Sequence, residues 1–489
     1  MKTKKWGAMI LAVSMLVPMC ACKKDPTDET EETSPTSSTS RVMTASTTET
    51  SESTVDTTPA TKATTSYELE DESEDPIIIY GYDRELKKLL DAYVSELNYE
   101  FIYVEPDEYY KKLNEALQGD EKVPDMFMMD ASHLQEWSYS DKTLSMDQLG
   151  IQRNELSDQF AYTYEAACDA DHAVKALSYE LSPSVIFYNR ALAAQTLETG
   201  DPATVAGAMA DWDAILDYAR EVNVNSEGVI KLLADRKQIH DIFWAGHSAE
   251  WIKDGKVVTG SDLDQYILLQ EALFVESLTG EKEVGSKEWR NDILQEKTIM
   301  FFGSLQTAAD VIGFVPGHEE KDEPETTSSD SQTAGTETTG ETTVEEPEET
   351  GWAIIPAPAA TYDGGSWLMV ASSSDKRATA ALILRALTME QTVMTDMAVN
   401  GKFVNSISIM KSCADDPNFI SDFLGGQNPY AILVPEALKI RIPNDPQTEK
   451  YADKEIDSLI KAYLDGEIKT PDELKEQFVV GMEELMGLT

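Results

Sequence analysis

The sequence is poor in cysteine, in basic residues and in long apolar runs. Four cysteines in 489 residues exclude a small domain held together by disulfides. Lys and Arg number 40 against 89 Asp and Glu, a formal charge of −49 that argues against nucleic acid or an anionic lipid surface as a partner. Beyond residue 19 no run approaches the roughly 18 apolar residues of a spanning helix. We therefore expect the rest of the chain to be soluble and to lie outside the membrane.

Almost half of the net negative charge lies in two segments of low complexity. The stretch Asp25–Asp75 has 14 acidic and 2 basic residues, and Glu319–Glu349 has 12 and 1. Both are rich in Ser, Thr and Glu and nearly free of large apolar side chains. Such a composition buries too little surface to offset the entropy of ordering. We expect a disordered tether over residues 22–75 and a disordered acidic insertion over residues 318–350.

The first residues have the pattern of an export signal. Three lysines precede the apolar run Trp6–Met19, whose 14 residues are fewer than the ~20 of a spanning helix. The following Met19-Cys20-Ala21-Cys22 resembles the bacterial lipobox, which has a large apolar residue three positions before a cysteine and a small one directly before it. This resemblance implies a signal peptide over residues 1–21, a lipid on Cys22 and attachment to the outer face of the cytoplasmic membrane of a Gram-positive-like bacterium. The alternative is an ordinary secretory signal.

Strand and helix patterns alternate from about residue 75. Short apolar or β-branched runs predict strands, and apolar residues at helical spacing predict helices, in the order strand 77–80, helix 86–97, strand 99–104, helix 109–117 and strand 124–130. This order predicts an α/β fold with a parallel sheet. Ligands of such sheets meet the carboxyl ends of the strands, which points to Tyr80, Gly81, Tyr82 and Asp130. The alternative is a core role for Tyr80 and a helix-capping role for Asp130.

Several motifs resemble, in order, those of the family 1 extracellular solute-binding proteins, the carbohydrate-type receptors of ABC importers. They run from about residue 75 to the C-terminus and comprise Ile79-Tyr80, Tyr109–Leu113, Pro124–Phe127, Ala176–Tyr179, Val185–Arg190, Asp211–Leu216, Thr298–Ser304, Gly351–Pro358, Gly364–Val370 and Ser374–Lys376. The resemblance implies a two-lobed, type II periplasmic-binding-protein-like fold with a ligand cleft between lobes joined by hinge strands. Lobe one is expected at 75–182 plus 363–412, and lobe two at 183–362 plus 413–489.

The resemblance also implies a function. The chain would capture a small polar solute, a carbohydrate in the first instance, between two closing lobes and deliver it to the permease subunits of an ABC importer. We expect a monomer without a cofactor, a metal or catalytic activity, held at the membrane by its lipid alone. The alternatives are a sensor or accessory lipoprotein of the same fold, and a secreted glycoside-active enzyme.

A sugar site needs aromatic rings for stacking and polar groups for hydroxyls. Residues that fall at expected cleft edges are Tyr82, Asp130, Trp137, Trp244, Ser304, Trp367 and Tyr451. Trp367 follows Gly364-Gly365-Ser366 at a predicted hinge, and its alternative role is a strand residue packed between the lobes. Sugar-binding members of the family often have tryptophan after the glycine matched here by Gly303, where this chain has Ser304. That departure leaves polyols, amino sugars and other polar solutes open.

Other local patterns carry less weight. His240 and His247 are two helical turns apart, but no carboxylate or cysteine at a ligand-like offset supports zinc. Cys168 lacks an activating partner, and its pairing with Cys413 depends on a distance that the sequence does not give. Asp211 and Thr470 are predicted to cap helices that follow them.

Overall fold

The computed structural model describes residues 69–119, 122–247, 250–317, 351–443 and 445–488. The expected signal peptide, Cys22, the tether up to residue 68 and the insertion 318–350 lie outside these residues. No helix in the described ranges is both long enough and apolar enough to cross a membrane.

The strands form two main sheets and a small hairpin. Within the described residues, every strand except β6 and β7 belongs to one of two main sheets, and β6 and β7 form the hairpin. The strands are β1 (Ile77–Gly81), β2 (Tyr99–Tyr103), β3 (Met126–Asp130), β4 (Ala176–Glu180), β5 (Pro183–Asn189), β6 (Ile252–Lys253), β7 (Lys256–Val257), β8 (Met300–Gly303), β9 (Trp352–Ile355), β10 (Thr361–Tyr362) and β11 (Ser366–Val370).

Helices cover both sheets. They are α1 (Arg84–Tyr93), α2 (Tyr109–Ala116), α3 (Ala131–Ser138), α4 (Ala161–Glu165), α5 (Arg190–Leu197), α6 (Pro202–Ala208), α7 (Trp212–Asn225), α8 (Lys237–Ala245), α9 (Ser261–Val275), α10 (Lys287–Leu294), α11 (Leu305–Ile312), α12 (Arg377–Thr388), α13 (Gln391–Val399), α14 (Ile407–Asp415), α15 (Pro429–Ala437), α16 (Pro446–Leu464) and α17 (Pro471–Met486). Short 3-10 helices lie at Pro106–Glu108, Met146–Leu149, Arg153–Leu156, Pro417–Phe419 and Asp422–Leu424.

The first sheet has the strand order β2-β1-β3-β11-β4. Strand β1 runs parallel to β2 and β3, as the alternating strand and helix pattern predicts. Strand β11 returns antiparallel between β3 and β4, which places Ser366 opposite both Asp130 and Glu180. The carboxyl ends of β1, β3 and β4 and the start of β11 therefore lie at one edge.

The second sheet is built around β5, which pairs antiparallel with β8 on one side and with β9 and β10 on the other. The chain enters this sheet from β4 through Leu181 and Ser182, and it leaves from β10 towards β11 through Asp363–Gly365. These two crossings run side by side, since the Asp363 N–H donates to the Ser182 carbonyl at 2.8 Å. Gly364 and Gly365 have φ values of 97° and 110°, a backbone conformation that residues other than glycine rarely adopt.

Apolar side chains alternate between the two faces of each sheet. In the first sheet Phe127 and Met129 enter a cluster on one face, while Met126 and Met128 enter a larger cluster on the other. That larger cluster continues onto the second sheet through Val185 and Phe187, whereas Ile186 and Tyr188 face a third cluster. The larger cluster is thus one core shared by the two sheets, and each sheet is buried on both faces.

Local predictions at the helix ends are confirmed. The Asp211 side chain accepts the Ala214 N–H at the start of α7, and the Thr470 side chain accepts the Glu473 N–H at the start of α17. In a capping box the Thr470 N–H would donate to the Glu473 side chain. Here the N–H of Lys469, one residue before Thr470, donates to Glu473 instead. Cys168 and Cys413 are both free thiols.

Candidate functional site

The exposed edge of the first sheet carries a hydrogen-bonded cluster around Asp130. The Asp130 carboxylate caps α3 by accepting the His133 N–H at 3.0 Å, and it also accepts the Tyr110 hydroxyl at 2.6 Å and the Ser132 hydroxyl at 2.7 Å. Burial alone would raise the pKa of Asp130, but the hydrogen bonds from Tyr110, Ser132 and His133 outweigh burial and lower it. Asp130 is therefore a charged acceptor near neutral pH.

Aromatic rings surround this carboxylate. The Tyr110 ring stacks on His133 with centroids 3.6 Å apart, and the half-buried Tyr82 ring meets the Tyr109 ring edge-on at 4.8 Å. Burial raises the pKa of Tyr82, and the nearby charges of Asp130 and Asp83 raise it further. Tyr82 therefore keeps its phenolic proton well into alkaline pH.

A cavity of about 590 Å³ opens at the second sheet, beside the crossing from β10 to β11. Helices α8, α10, α11 and α16 and strands β5, β8 and β10 contribute its walls. This volume falls in the range of about 300–1,000 Å³ that is typical of small-molecule sites. The wall includes the aromatic rings of Trp289, Phe302 and Tyr362.

Acidic side chains dominate the charge of the cavity. The cavity wall has two lysines, Lys237 and Lys454. Its five carboxylates are those of Asp241, Glu283, Asp363, Asp453 and Asp457. Asp363 accepts the Thr307 hydroxyl at 2.6 Å. His240 lies 2.7 Å from Asp453 through Nε2 and 2.6 Å from the Tyr266 hydroxyl through Nδ1. Because a carboxylate only accepts, the Nε2 of His240 carries a proton in its contact with Asp453.

Two buried polar atoms of the cavity wall have no hydrogen-bond partner within the described part of the chain. Gln238 is 7% exposed and donates from Nε2 to the Phe302 carbonyl at 3.1 Å, which leaves its Oε1 unpaired. Trp289 is 3% exposed, and its indole N–H is also unpaired. An unmade hydrogen bond at a buried polar group costs about 1–3 kcal/mol. The folded chain thus leaves one acceptor and one donor of the cavity wall unmet.

The cavity and the Asp130 cluster are close in space. Asp363 lines the cavity, and Ser366, three residues further on, pairs with Asp130. Three residues span at most about 11 Å, and paired Cα atoms lie about 4.5–5.5 Å apart, so the Asp130 and Asp363 Cα atoms are within about 16 Å. Tyr362 connects the cavity wall to the first sheet. It lines the cavity, and its ring centroid lies 5.2 Å from that of Tyr162 and 6.5 Å from that of Trp367 in β11.

The predicted site residues fall into different environments. Tyr82 and Asp130 lie together at the edge of the first sheet, where Asp130 caps α3 and a binding role of either residue stays a prediction. Ser304 is buried and caps α11 by accepting the Thr307 N–H at 3.3 Å, so it positions Thr307 rather than lining the cavity. Trp244 and Tyr451 lie on α8 and α16, the helices that carry cavity residues, but both pack half-buried against the core of the second sheet.

Trp367 and Trp137 are core residues in the structure. Trp367 is 1% exposed, and its indole N–H donates to the Thr163 carbonyl at 3.0 Å. Trp137 packs edge-on against Phe127 at 5.2 Å. A ring that is covered on both faces has no surface on which a sugar could stack. We therefore assign both tryptophans to the core and leave them out of the site.

Sequence reasoning missed most of the cavity. Gln238, Asp241, Trp289, Asp363 and Asp457 were not among the predicted site residues. The four-residue spacing of Asp453 and Asp457 puts both on one helical face, which is the one signal that could have drawn notice. Asp241 and Asp457 come from helices more than 200 residues apart, and only the fold brings them together.

The cavity beside the crossing from β10 to β11 is called the hinge cavity below. The fold is that of a two-lobed α/β binding protein. The family model described as bacterial extracellular solute-binding protein matches residues 88–424, more than half of the chain. The chain belongs to this family. No curated protein matches it significantly.

Solved structures of solute-binding proteins share the fold at low sequence identity. The sugar-binding protein MalE from Xanthomonas citri is 10% identical with a TM-score of 0.62, and the match covers 84% of this chain and 98% of that one. The ABC transporter associated binding protein from B. animalis subsp. lactis Bl-04, solved with β-1,6-galactobiose, is 16% identical with a TM-score of 0.57 over 85% and 97%. A family 1 extracellular solute-binding protein is 15% identical with a TM-score of 0.61 over 84% and 99%.

Proposed function

We propose that the protein captures a carbohydrate in the hinge cavity and delivers it to the permease of an ABC importer. The observation that carries this proposal is the cavity itself, which combines carboxylates with the unpaired Gln238 Oε1 and Trp289 N–H at the crossing between two sheets. Carboxylates accept hydrogen bonds from sugar hydroxyls, and the indole donates to a sugar oxygen. Structural relatives solved with β-1,6-galactobiose or described as sugar-binding support this class of solute.

Closure of the lobes would report that the cavity is occupied. A solute held by α8 and α16 would gain contacts with Tyr82 and Asp130 when the first sheet swings towards it about Gly364 and Gly365. A ligand that binds the closed form better than the open form shifts the population by its differential affinity. The permease would then distinguish loaded from empty protein by shape. We propose no catalytic role.

The lobe boundaries are part of this proposal. Residues 75–182 with 363 onward would form lobe one, and residues 183–362 with the C-terminal segment would form lobe two. A boundary after residue 412 would divide α14, which is continuous from Ile407 to Asp415. Phe403 accepts the Leu181 N–H at 2.8 Å, beside the first crossing. We therefore propose that the chain returns to lobe two between Phe403 and the start of α14.

Attachment to the outer face of the cytoplasmic membrane by a lipid on Cys22 is also proposed, from the sequence alone. Metabolic labelling with a radioactive fatty acid tests it. Label is expected in the wild type and not in Cys22→Ala. Equal label in both would contradict it.

A thermal-shift screen tests the binding function. The whole chain, in mild detergent, is heated with mono- and disaccharides, polyols and amino acids. A ligand at 100 times its Kd stabilises the folded state by about 2.7 kcal/mol, so a sugar that binds raises the melting temperature. Stabilisation by amino acids alone, or by none of the compounds, would overturn the carbohydrate proposal.

A further inference from the structure

We propose that the solute is a cationic sugar, one that carries an ammonium group, and that Asp241, Asp453 and Asp457 receive this group. The inference rests on the proposed function and narrows its substrate class from carbohydrates in general to amino sugars.

The acidic groups of the cavity outnumber its basic groups. Among the described residues, no lysine or arginine nitrogen lies within 4.0 Å of a carboxylate oxygen of the five acidic residues that line the cavity. The hydroxyl of Thr307 and the imidazole of His240 are the partners of Asp363 and Asp453. With both lysines counted, the wall keeps a formal charge of about −3 when His240 is neutral. Water solvates these exposed carboxylates, and a neutral sugar that displaced the water would bring no charge to replace it.

The carboxylates also repel one another. Asp453 and Asp457 are four residues apart on α16, where like charges destabilise a helix by about 0.2–0.5 kcal/mol. Displacement of water by the surrounding protein raises the pKa of Asp241; the charges of Asp453, Asp363 and Asp457 raise it further, and a positive charge on His240 would lower it. A cation placed among these groups would reduce the repulsion and lower the pKa of Asp241. Sites with carboxylates arranged in this way are frequently functional.

The unpaired amide oxygen of Gln238 is a second and independent observation. Gln238 lies one helical turn before Asp241 on α8, and its Oε1 is buried in the cavity wall without a donor. Oε1 can only accept, so it calls for a donor on the solute. An ammonium group has three donors and can serve Oε1 and two carboxylates together. The Trp289 N–H needs an acceptor instead, which a sugar hydroxyl or ring oxygen supplies.

The observations favour an organic cation over a metal ion. The described residues contain no group of three or more His, Cys, Asp or Glu side chains placed to hold a metal. A volume of about 590 Å³ is also far larger than a bare ion needs. It suits a sugar whose ring packs against the half-buried Tyr362 while its ammonium faces α8 and α16.

Calorimetric titration of the whole chain with matched sugars tests the charge. The probes are glucosamine, N-acetylglucosamine and glucose, and the corresponding galactose series, so that each set differs only at one substituent. We expect an amino sugar to bind at least about tenfold more tightly than both neutral counterparts. Raising the salt from about 0.01 to 1 M shortens the Debye length from about 30 to about 3 Å, and this should weaken the amino sugar alone.

Variants locate the charge within the cavity. Asp241→Asn and Asp457→Asn should each weaken the amino sugar about tenfold or more and leave the neutral sugars within about twofold. The matched control is Asp465→Asn, which changes an exposed carboxylate at the end of the same helix, outside the cavity. Equal loss in the control would assign the effect to the general charge of the protein and overturn the inference.

The remaining outcomes separate the two proposals. A neutral sugar that binds as tightly as its amino counterpart would overturn the cationic class and leave carbohydrate binding intact. Failure of every amino sugar would also overturn the inference, and binding of neutral sugars in the wider thermal screen would still support the proposed function. Failure of all sugars in both experiments would overturn both.

Discussion

Replacement of Trp367 distinguishes a core residue from a ligand contact. The side chain is 1% exposed and its N–H is bonded to the Thr163 carbonyl. Burial of about 150–250 Å² at about 25 cal/mol/Å² corresponds to roughly 4–6 kcal/mol. Large-to-small substitutions of buried aromatic residues cost about 3–5 kcal/mol. The two estimates agree, and we expect Trp367→Ala to lower the free energy of unfolding by about 3–5 kcal/mol.

The assay is denaturant unfolding followed by far-ultraviolet circular dichroism, which does not depend on the lost indole. Trp367→Phe keeps most of the ring and loses the donor to Thr163, so it should lose less stability, about 1–3 kcal/mol. Tyr139→Ala is the control, because Tyr139 is 54% exposed and its loss should change stability by less than about 0.5 kcal/mol. Unchanged stability of Trp367→Ala together with lost sugar binding would refute the core assignment.

Three further substitutions test local features. Asp130→Ala removes the cap of α3 and should cost about 0.5–2 kcal/mol of stability. Folding lowers the pKa of Asp130 from 3.8, so the stability that its charge contributes is present above pH 3.8 and is lost as the pH falls through the folded pKa. Unfolding midpoints measured against pH test this loss. Lys402→Met should cost about 1–3 kcal/mol, less than the 3–5 kcal/mol of a fully buried pair, since it leaves Glu180 without the partner that lies 2.8 Å away. Burial already raises the pKa of Glu180 and Lys402 opposes this, so the loss in Lys402→Met should shrink at acid pH, where Glu180 is protonated. Asp71→Ala removes the acceptor of two N–H groups at the start of α12 and should cost about 0.5–2 kcal/mol, with faster amide exchange there.

Each of these has a contrary result. A stability difference for Asp130→Ala that grows towards acid pH would contradict the lowered pKa. A loss in Lys402→Met that is the same at acid and neutral pH would show that Glu180 is not the affected group. Unchanged exchange at the start of α12 in Asp71→Ala would show that this cap is dispensable.

Local patterns made the fold predictable. The run at Ile77–Tyr80 and the capping side chains Asp211 and Thr470 act over a few residues, so their effects can be read from neighbours in sequence. The alternating strand and helix pattern predicted parallel strands, and β1 and β3 do run parallel, so that Tyr82 and Asp130 follow or end them at one edge of the first sheet.

The role of Trp367 was not predictable, because strand β11 is buried on both faces. Trp367 and Met369 enter one cluster, and Leu368 and Val370 enter another, so the residue pattern shows no exposed side. The cavity was missed for a different reason. Its carboxylates stand on separate helices in a chain that is acidic throughout, and the unpaired state of Gln238 and Trp289 exists only in the folded protein.

The most direct test of the hinge cavity is a calorimetric titration of Trp289→Phe with the best sugar from the screen. The substitution removes the indole N–H, which has no partner among the described residues, together with the small ring of a buried side chain, so the free energy of unfolding is measured beside the affinity. Loss of one hydrogen bond of about 0.5–1.5 kcal/mol should weaken binding about two- to tenfold. The control Gln306→Leu, on α11 but outside the cavity, should keep the wild-type affinity. Wild-type affinity in Trp289→Phe, combined with weakened binding in Gln306→Leu, would place the solute elsewhere and contradict the account.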